Sequence, residues 1–433
     1  AARVRTRSAR DHRTADGLLS SLFVERPGEG RFDKKDERLL RFAALRHDTG
    51  HGPFSHTSEQ FYSALPELKE LRDNEPMYRE CAAGELLSNQ IVLSEPFREF
   101  VAAINAHFHQ ALDCDAISRC ITGCLAPERM FLSEVVHGPF DADKLDYMHR
   151  DGMFSGLQMH VDLDRLFASI NIKANTKEGK TTTRLCGSVS GITPLTQIMF
   201  NKMILYTGMY HHHKVRAVDC MLWAIFDLAM QKNAKIGGVE ISSPVDFLRL
   251  TDDYVLIPEL TNDEEIKELI LRIRTRDLWE RALVISRRTV PESMHADTKG
   301  DEKKGVFTEY TKFMGNQPEK IRIRREIADE IWELSGKPCK RHEVWLDIPK
   351  LPSMDEAKRM WIEAPQQPKP EKLEDFLPIS KWVELYGHHQ WRSHVFCPRE
   401  HKKVIADAAE KVIKERFGLE LLRLARQYAR TPD

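Results

Sequence analysis

The sequence predicts a mainly α protein with a β-hairpin insertion and a smaller α+β carboxyl-terminal lobe. Three observations carry this. Apolar residues recur at helical spacing through residues 5–155 and again through 193–232. Between them, residues 158–192 turn β-rich around one turn signal. After a polar break at 286–305, short strand-like runs alternate with helical ones.

Each element follows from its residues. Leu39, Leu40, Phe42, Ala43, Ala44 and Leu45 have the spacing of a buried helix running into His47. Residues 104–124 and 128–136 continue the helical trend. Thr176-Lys177-Glu178-Gly179-Lys180 is the turn signal, followed by a β-rich run to Val189, so a hairpin is expected. Helix returns over 193–232 through Leu205, Tyr206, Val215, Met221, Leu222, Ile225 and Leu228. Residues 286–305, with Pro291 and the polar run Lys299 to Gly305, suit a mobile loop. Beyond it, helix is expected over 318–334, strand over 342–349 and a proline-rich connector over 365–370. A short strand at 395–397 and a long closing helix over 400–429 complete the chain, with no internal repeat.

Composition narrows the function classes. The 433 residues are enough to bury an extensive core. Lys+Arg 65 against Asp+Glu 66 leaves a net charge of -1, so there is no global attraction to nucleic acid. No apolar run approaches the roughly 20 residues that span a bilayer, and no secretory signal is visible. Eight cysteines without closely spaced pairs suit reduced thiols and a cytoplasmic setting. The chain opens Ala1-Ala2-Arg3 rather than with Met, as a trimmed first segment would. His107, His109, Cys114, Cys120 and Cys124 are zinc-ligand types, but their spacing fits no usual zinc pattern; Cys120 and Cys124 read as a helix face.

The densest chemical signal is Arg46-His47-Asp48-Thr49-Gly50-His51-Gly52-Pro53-Phe54-Ser55-His56. On a helix His47 and His51 would share a face, and Asp48 adds a carboxylate suited to a divalent cation. Gly50, Gly52 and Pro53 stop the helix, leaving the group at an accessible turn. A second cluster begins at Asp141-Ala142-Asp143-Lys144-Leu145-Asp146-Tyr147 and runs to Arg150-Asp151. As a helix it puts Asp143, Tyr147 and Arg150 on one stripe, with Lys144 and Asp151 beside it. Alone, this is also an ordinary amphipathic helix with solvated charges. A third, Tyr210-His211-His212-His213-Lys214-Val215-Arg216, gathers imidazoles and cations that a polyphosphate would neutralise.

These motifs resemble the HD-domain phosphohydrolases, whose signature is a lone His, a His-Asp pair and a distal Asp around one metal. HDTGHGPFSH, DADKLDY and YHHHKVRA look like the deoxynucleoside triphosphate triphosphohydrolase branch. The resemblance runs from near residue 5 to about residue 250, and more loosely beyond. It implies an HD-domain helical catalytic core over 1–285, with 286–433 as a lobe for oligomer and regulatory contacts. The metal ligands it implies are His12, His47, Asp48 and Asp143. His12 is the one histidine before His47, although the Phe and Ser of the family's stretch are absent around it. Mixed imidazole and carboxylate donors favour Mn²⁺ first, then Fe²⁺, Co²⁺ or Zn²⁺, over Mg²⁺.

Roles for the remaining residues follow from the same resemblance. His51 would protonate the leaving oxygen or bind phosphate, His56 would assist, and Glu59 would act as base or orienting carboxylate. Lys144, Tyr147, Arg150, Asp151, Tyr210, His213 and Lys214 would bind substrate. Tyr210 lies one place before the family's tyrosine, where this chain has His211; Arg79-Glu80 stands where a relative has a catalytic His before Glu. The expected activity converts a dNTP to deoxynucleoside and tripolyphosphate. The alternatives are a nucleotidase or phosphodiesterase on a monophosphate or cyclic nucleotide, and a non-catalytic nucleotide-sensing or nucleic-acid-binding protein. For the last, Lys320 to Arg325 is the best basic patch, though the following acids favour a solvated helix face. A homo-oligomer and a nucleotide activator are implied; nucleic acid is left open and no membrane is expected.

Overall fold

A computed structural model describes residues 32–430 except 80, 178–179, 296–304, 316, 351–353, 366, 368 and 383–387. The protein is mainly α with three small sheets among the described residues, as the sequence predicts. It divides into two compact units that interleave along the chain: 1–55, 65–205 and 353–381 form one; 56–64, 206–352 and 382–433 form the other. The division expected at residue 285 therefore differs from the structure. Glu280–Ile285 is an edge strand of a sheet completed by later residues, so a cut there would split one hydrogen-bonded layer.

In the first unit, the helix Lys34–Arg46 starts on a reciprocal cap: Asp33 accepts from the backbone of Lys35 and Asp36, and Asp36 accepts from Asp33. It buries Leu39, Leu40, Ala43 and Ala44, the apolar stripe read in the sequence. Helices Ala83–Leu93, Cys114–Ile121, Met130–His137 and Ala142–Ser155 follow. The expected hairpin is Ile170–Lys177 paired with Lys180–Ser188, antiparallel from Ile170↔Gly187 to Lys177↔Lys180. Its tip, Glu178-Gly179, lies outside the described residues. Trp361–Glu363 then joins Lys180–Ser188 in parallel, and Glu371–Lys372 closes the sheet.

In the second unit, Ser393–Cys397 lies between Glu280–Ile285 and Trp345–Asp347, antiparallel to both. All five residues of Ser393–Cys397 are buried. Helices Pro318–Leu334 and Lys402–Phe417 bury Ile327, Ile331, Ile405, Ala409 and Val412 in one apolar core with that sheet.

Three expected helices are interrupted. Residues 104–124 break where Glu95–Phe108 ends on His109, in the left-handed region at φ 52°. Residues 193–232 become Ile192–Leu205, a wide turn over Tyr206–Tyr210 and then His213–Lys232; His211 N–H reaches the Tyr206 carbonyl at 2.7 Å, five residues back. The closing helix ends at Phe417 because Gly418 takes φ 65°, a cap that suits a residue without Cβ. Of the loop expected over 286–305, residues 287–289 and 292–294 form single turns and 296–304 lie outside the described residues.

Candidate metal centre

The helix Lys34–Arg46 stops one residue before the cluster. His47 is its C-cap, donating its N–H to the Ala43 carbonyl at 2.8 Å. The sequence reading put His47 and His51 on one continuing helical turn; the backbone instead folds through two tight turns. Thr49 N–H reaches Arg46 O and His51 N–H reaches Asp48 O, both at 3.2 Å. Both imidazoles still converge: Nε2 of His47 and Nε2 of His51 each lie 3.4 Å from Asp48 Oδ1. Their side chains are only 13% and 12% exposed.

That turn needs glycine for space. Gly50 N–H donates to Ser88 Oγ at 2.8 Å, and a Cβ on Gly50 would fall 2.2 Å from Ser88 N. Gly84, on the same helix Ala83–Leu93, lies flush against the His51 ring; a Cβ there would be 2.6 Å from Cε1. Phe54 and Ser55 follow at φ 56° and 49°, a left-handed pair that sequence reasoning did not anticipate. Backbone strain of this kind collects at functional sites.

Asp143 arrives on the helix Ala142–Ser155. Asp141 caps it, accepting from Lys144 N–H at 2.8 Å, and carboxylates at a helix start are favoured by its dipole. His47, Asp48 and Asp143 each offer one donor atom, all within 4.8 Å of one another. The donor set, one imidazole and two carboxylates, fits a divalent ion. The tautomer fits too. His47 Nδ1 sits 2.9 Å from the Ala44 carbonyl, which can only accept, so Nδ1 carries the proton and Nε2 presents its lone pair. His12 lies outside the described residues.

The remaining candidates on this helix form the half-buried stripe expected of Asp143, Lys144, Tyr147, Arg150 and Asp151. Two of them are engaged by carboxylates of their own segment, which the sequence reading did not foresee. Lys144 Nζ is held by Asp141 and by Gly138 O at 3.0 Å. Arg150 pairs with Asp146, one turn back, at 2.9 and 3.0 Å. A further ion pair missed in the sequence joins Lys202 to Glu356 at 2.5 Å, almost fully buried and 154 positions apart.

In the second unit, His56 and Glu59 make a pair on the helix His56–Tyr62, Nδ1 to Oε2 2.9 Å. Tyr210 belongs to the wide turn and not to the helix His213–Lys232, which carries His213 and Lys214. His211 and His213 both lose basicity. Burial leads, aided by Arg216, in lowering His211 to about 4; burial and then Arg281 lower His213 to about 3. Below them is a buried network that no local spacing announces. Arg216 donates to both oxygens of Asp347 at 2.6 and 3.1 Å and to Asp219 at 2.9 Å, and Thr57 donates to Asp219 at 2.9 Å. Only the step from Arg216 to Asp219 is local, at i, i+3.

The basic patch at 320–325 is neither a solvated face nor a phosphate-binding surface throughout. Arg324 is buried and donates to Ile348 O at 3.1 Å, while Arg325 donates to Val344 O at 3.0 Å and stacks on Trp345. No helix among the described residues is long and apolar enough to cross a membrane.

Comparisons with known proteins give the family and the fold. Residues 15–148 match the model described as the HD domain, and residues 161–416 the one described as an HD associated region. The chain is similar to a deoxynucleoside triphosphate triphosphohydrolase SAMHD1 homolog of Dictyostelium discoideum, 24% identical over 57% of this chain and 44% of that protein. An uncharacterized protein of Bacillus subtilis is 25% identical over 56% of this chain and 49% of its own length. The chain thus spans less than half the length of either relative. A crystal structure of a hypothetical protein from Aquifex aeolicus shares the fold, with TM-score 0.59 at 18% identity over 93% of this chain and 85% of that one.

Proposed function

This chain belongs to the HD-domain family, with an HD domain followed by an HD associated region, and on that premise we propose a metal-dependent dNTP triphosphohydrolase releasing deoxynucleoside and tripolyphosphate. The observation that carries the proposal is the convergence of His47, Asp48 and Asp143 within 4.8 Å. These three would hold one divalent ion, Mn²⁺ as first choice, with His12 as the fourth donor. When bound, such an ion polarises a phosphoryl oxygen and lowers the pKa of a coordinated water.

The chain's own groups do the rest. Ala44 O fixes the His47 tautomer, so the imidazole arrives as a neutral donor. His51, which lies against Asp48 and Gly84, would bind phosphate or pass a proton to the leaving oxygen. Glu59 orients His56 in the same role expected of an acid-base pair. Tyr147, Arg150, Asp151, Tyr210, His213 and Lys214 are proposed to contact substrate, and the low basicity of His213 makes it a neutral hydrogen-bonding group near pH 7. Lys144 is proposed to contact substrate as well, from its place beside the Asp141 cap. The relative from Dictyostelium, named for this activity, supports the substrate class.

Product analysis of the purified protein with Mn²⁺ and each dNTP tests this. Tripolyphosphate supports the proposal. With a nucleoside monophosphate or a cyclic nucleotide supplied instead, release of phosphate or of a linear monophosphate would favour a nucleotidase or phosphodiesterase, and no product from any of them a sensing or nucleic-acid-binding role. Homo-oligomer formation and nucleotide activation belong to the same proposal, and light scattering with and without each dNTP checks both.

A further inference from the structure

The first unit contains two cysteines, 43 positions apart in the chain, that the proposed chemistry does not use. Cys81 Sγ donates to the Met77 carbonyl at 3.5 Å, and Cys124 Sγ approaches the same oxygen at 3.7 Å. Two thiols therefore flank one backbone oxygen, with Cys124 Sγ also 3.3 Å from the Thr122 carbonyl. Both also line a cavity of about 360 Å³ with Thr122, Ser133, Glu134 and Arg184, a polar space open to a water-sized solute. Cys124 in addition lines a second, wider cavity of about 760 Å³ beside Lys35 and Arg119, so it is approached from two sides. Both positions lie outside helices and strands. Cys81 precedes the first turn of the helix Ala83–Leu93, and Cys124 follows Gly123, which turns the chain at φ 70°. The other buried thiols, such as Cys120, Cys186 and Cys220, sit in elements of regular structure.

We propose that Cys81 and Cys124 form a disulfide when the protein meets a peroxide. The peroxide transfers one oxygen to the Cys124 sulfur, giving a sulfenic acid and releasing water. The Cys81 sulfur, having given up its proton, then attacks that sulfur; the S–S bond forms and hydroxide leaves, taking up the proton as a second water. Both sulfurs are oxidised and both peroxide oxygens reduced. The bond would tie the turn at Cys124 to the start of the helix whose Gly84 supports the His51 ring. The modification itself does not depend on which substrate the site takes.

The test uses the full chain in its folded state. Protein is treated with hydrogen peroxide, unfolded, and its remaining thiols alkylated, with peptide mass spectrometry as the readout. The expected result is one dithiothreitol-sensitive cross-link between the peptides carrying Cys81 and Cys124, with two fewer alkylated thiols than the untreated protein. Cys81→Ser should lose the cross-link and yield Cys124 trapped by dimedone; Cys124→Ser should lose both signals. Circular dichroism of each variant establishes that it is folded. No cross-link in the wild-type protein, or cross-links that join Cys81 or Cys124 to other cysteines instead, would overturn the proposal. That readout is blind to hydrolysis, so its failure is distinct from failure of the proposed activity.

Discussion

Ala44 accepts the Nδ1 proton of His47 across 2.9 Å, so a residue of the helix's last buried turn decides which imidazole nitrogen faces Asp48 in the candidate metal centre. The same helix supplies both the core contact and the orientation, which couples the site to packing.

Removing His47, Asp48 or Asp143 singly, by alanine, is expected to abolish tight Mn²⁺ binding in calorimetry. Hydrolysis should fall by more than the 10–100-fold, roughly, that loss of an orienting partner costs. Far-ultraviolet circular dichroism should not change, because all three are partly exposed. Retained metal affinity in all three variants would dismiss the centre.

Gly84→Ala separates positioning from fold. Its new methyl would collide with the His51 ring, 2.6 Å from Cε1, and the ring has to turn away from Asp48. Turnover should drop at least about 10-fold, in the range of lost acid-base assistance. Gly50→Ala is the contrasting case: the clash is with backbone at 2.2 Å, so stability itself should fall by about 3 kcal/mol in a urea titration.

Lys202→Met strands Glu356 as a buried charge. The expected loss is about 3–5 kcal/mol, with Lys202→Met/Glu356→Leu recovering most of it. Equal stability of the single and double variants would mean that the pair is not desolvated as described.

Acid should weaken the second unit in two stages. His211 is lowered to about 4 in the fold, so from about pH 6.5 down to 4 the unfolded chain binds a proton that the folded one refuses, and stability falls. Asp347 is held well below the usual carboxylate range by Arg216 and His394 despite its burial. Its contribution is complete above the unfolded value near 4 and is lost as pH falls toward the folded one. Melting temperature against pH should show both stages, with His211→Gln reducing the upper one, which His213 and His342 share, and Asp347→Asn removing the lower.

The sequence by itself carried what is local. The stripe Leu39, Leu40, Ala43, Ala44 placed a helix ahead of His47, and the turn residues at 176–180 placed the hairpin, because each rests on periodicity within one segment. The grouping of His47, Asp48 and Asp143, whose donor atoms lie within 4.8 Å of one another, was legible from residue types set in family motifs. Interruptions were not: the wide turn at 206–210 lies inside an apolar run that helical spacing alone would continue, and His109 ends its helix without a glycine.

Only the tertiary structure decided which charges are spoken for. Arg216 meets Asp347 across 131 positions and Lys202 meets Glu356 across 154, so no window of sequence contains both partners. The division into interleaved units has the same origin, since strand pairing joins Glu280–Ile285 to Ser393–Cys397 without regard to their distance along the chain. A buried ion must find its counter-ion in space, and a strand its neighbour. Composition can supply the partners, but only folding selects them.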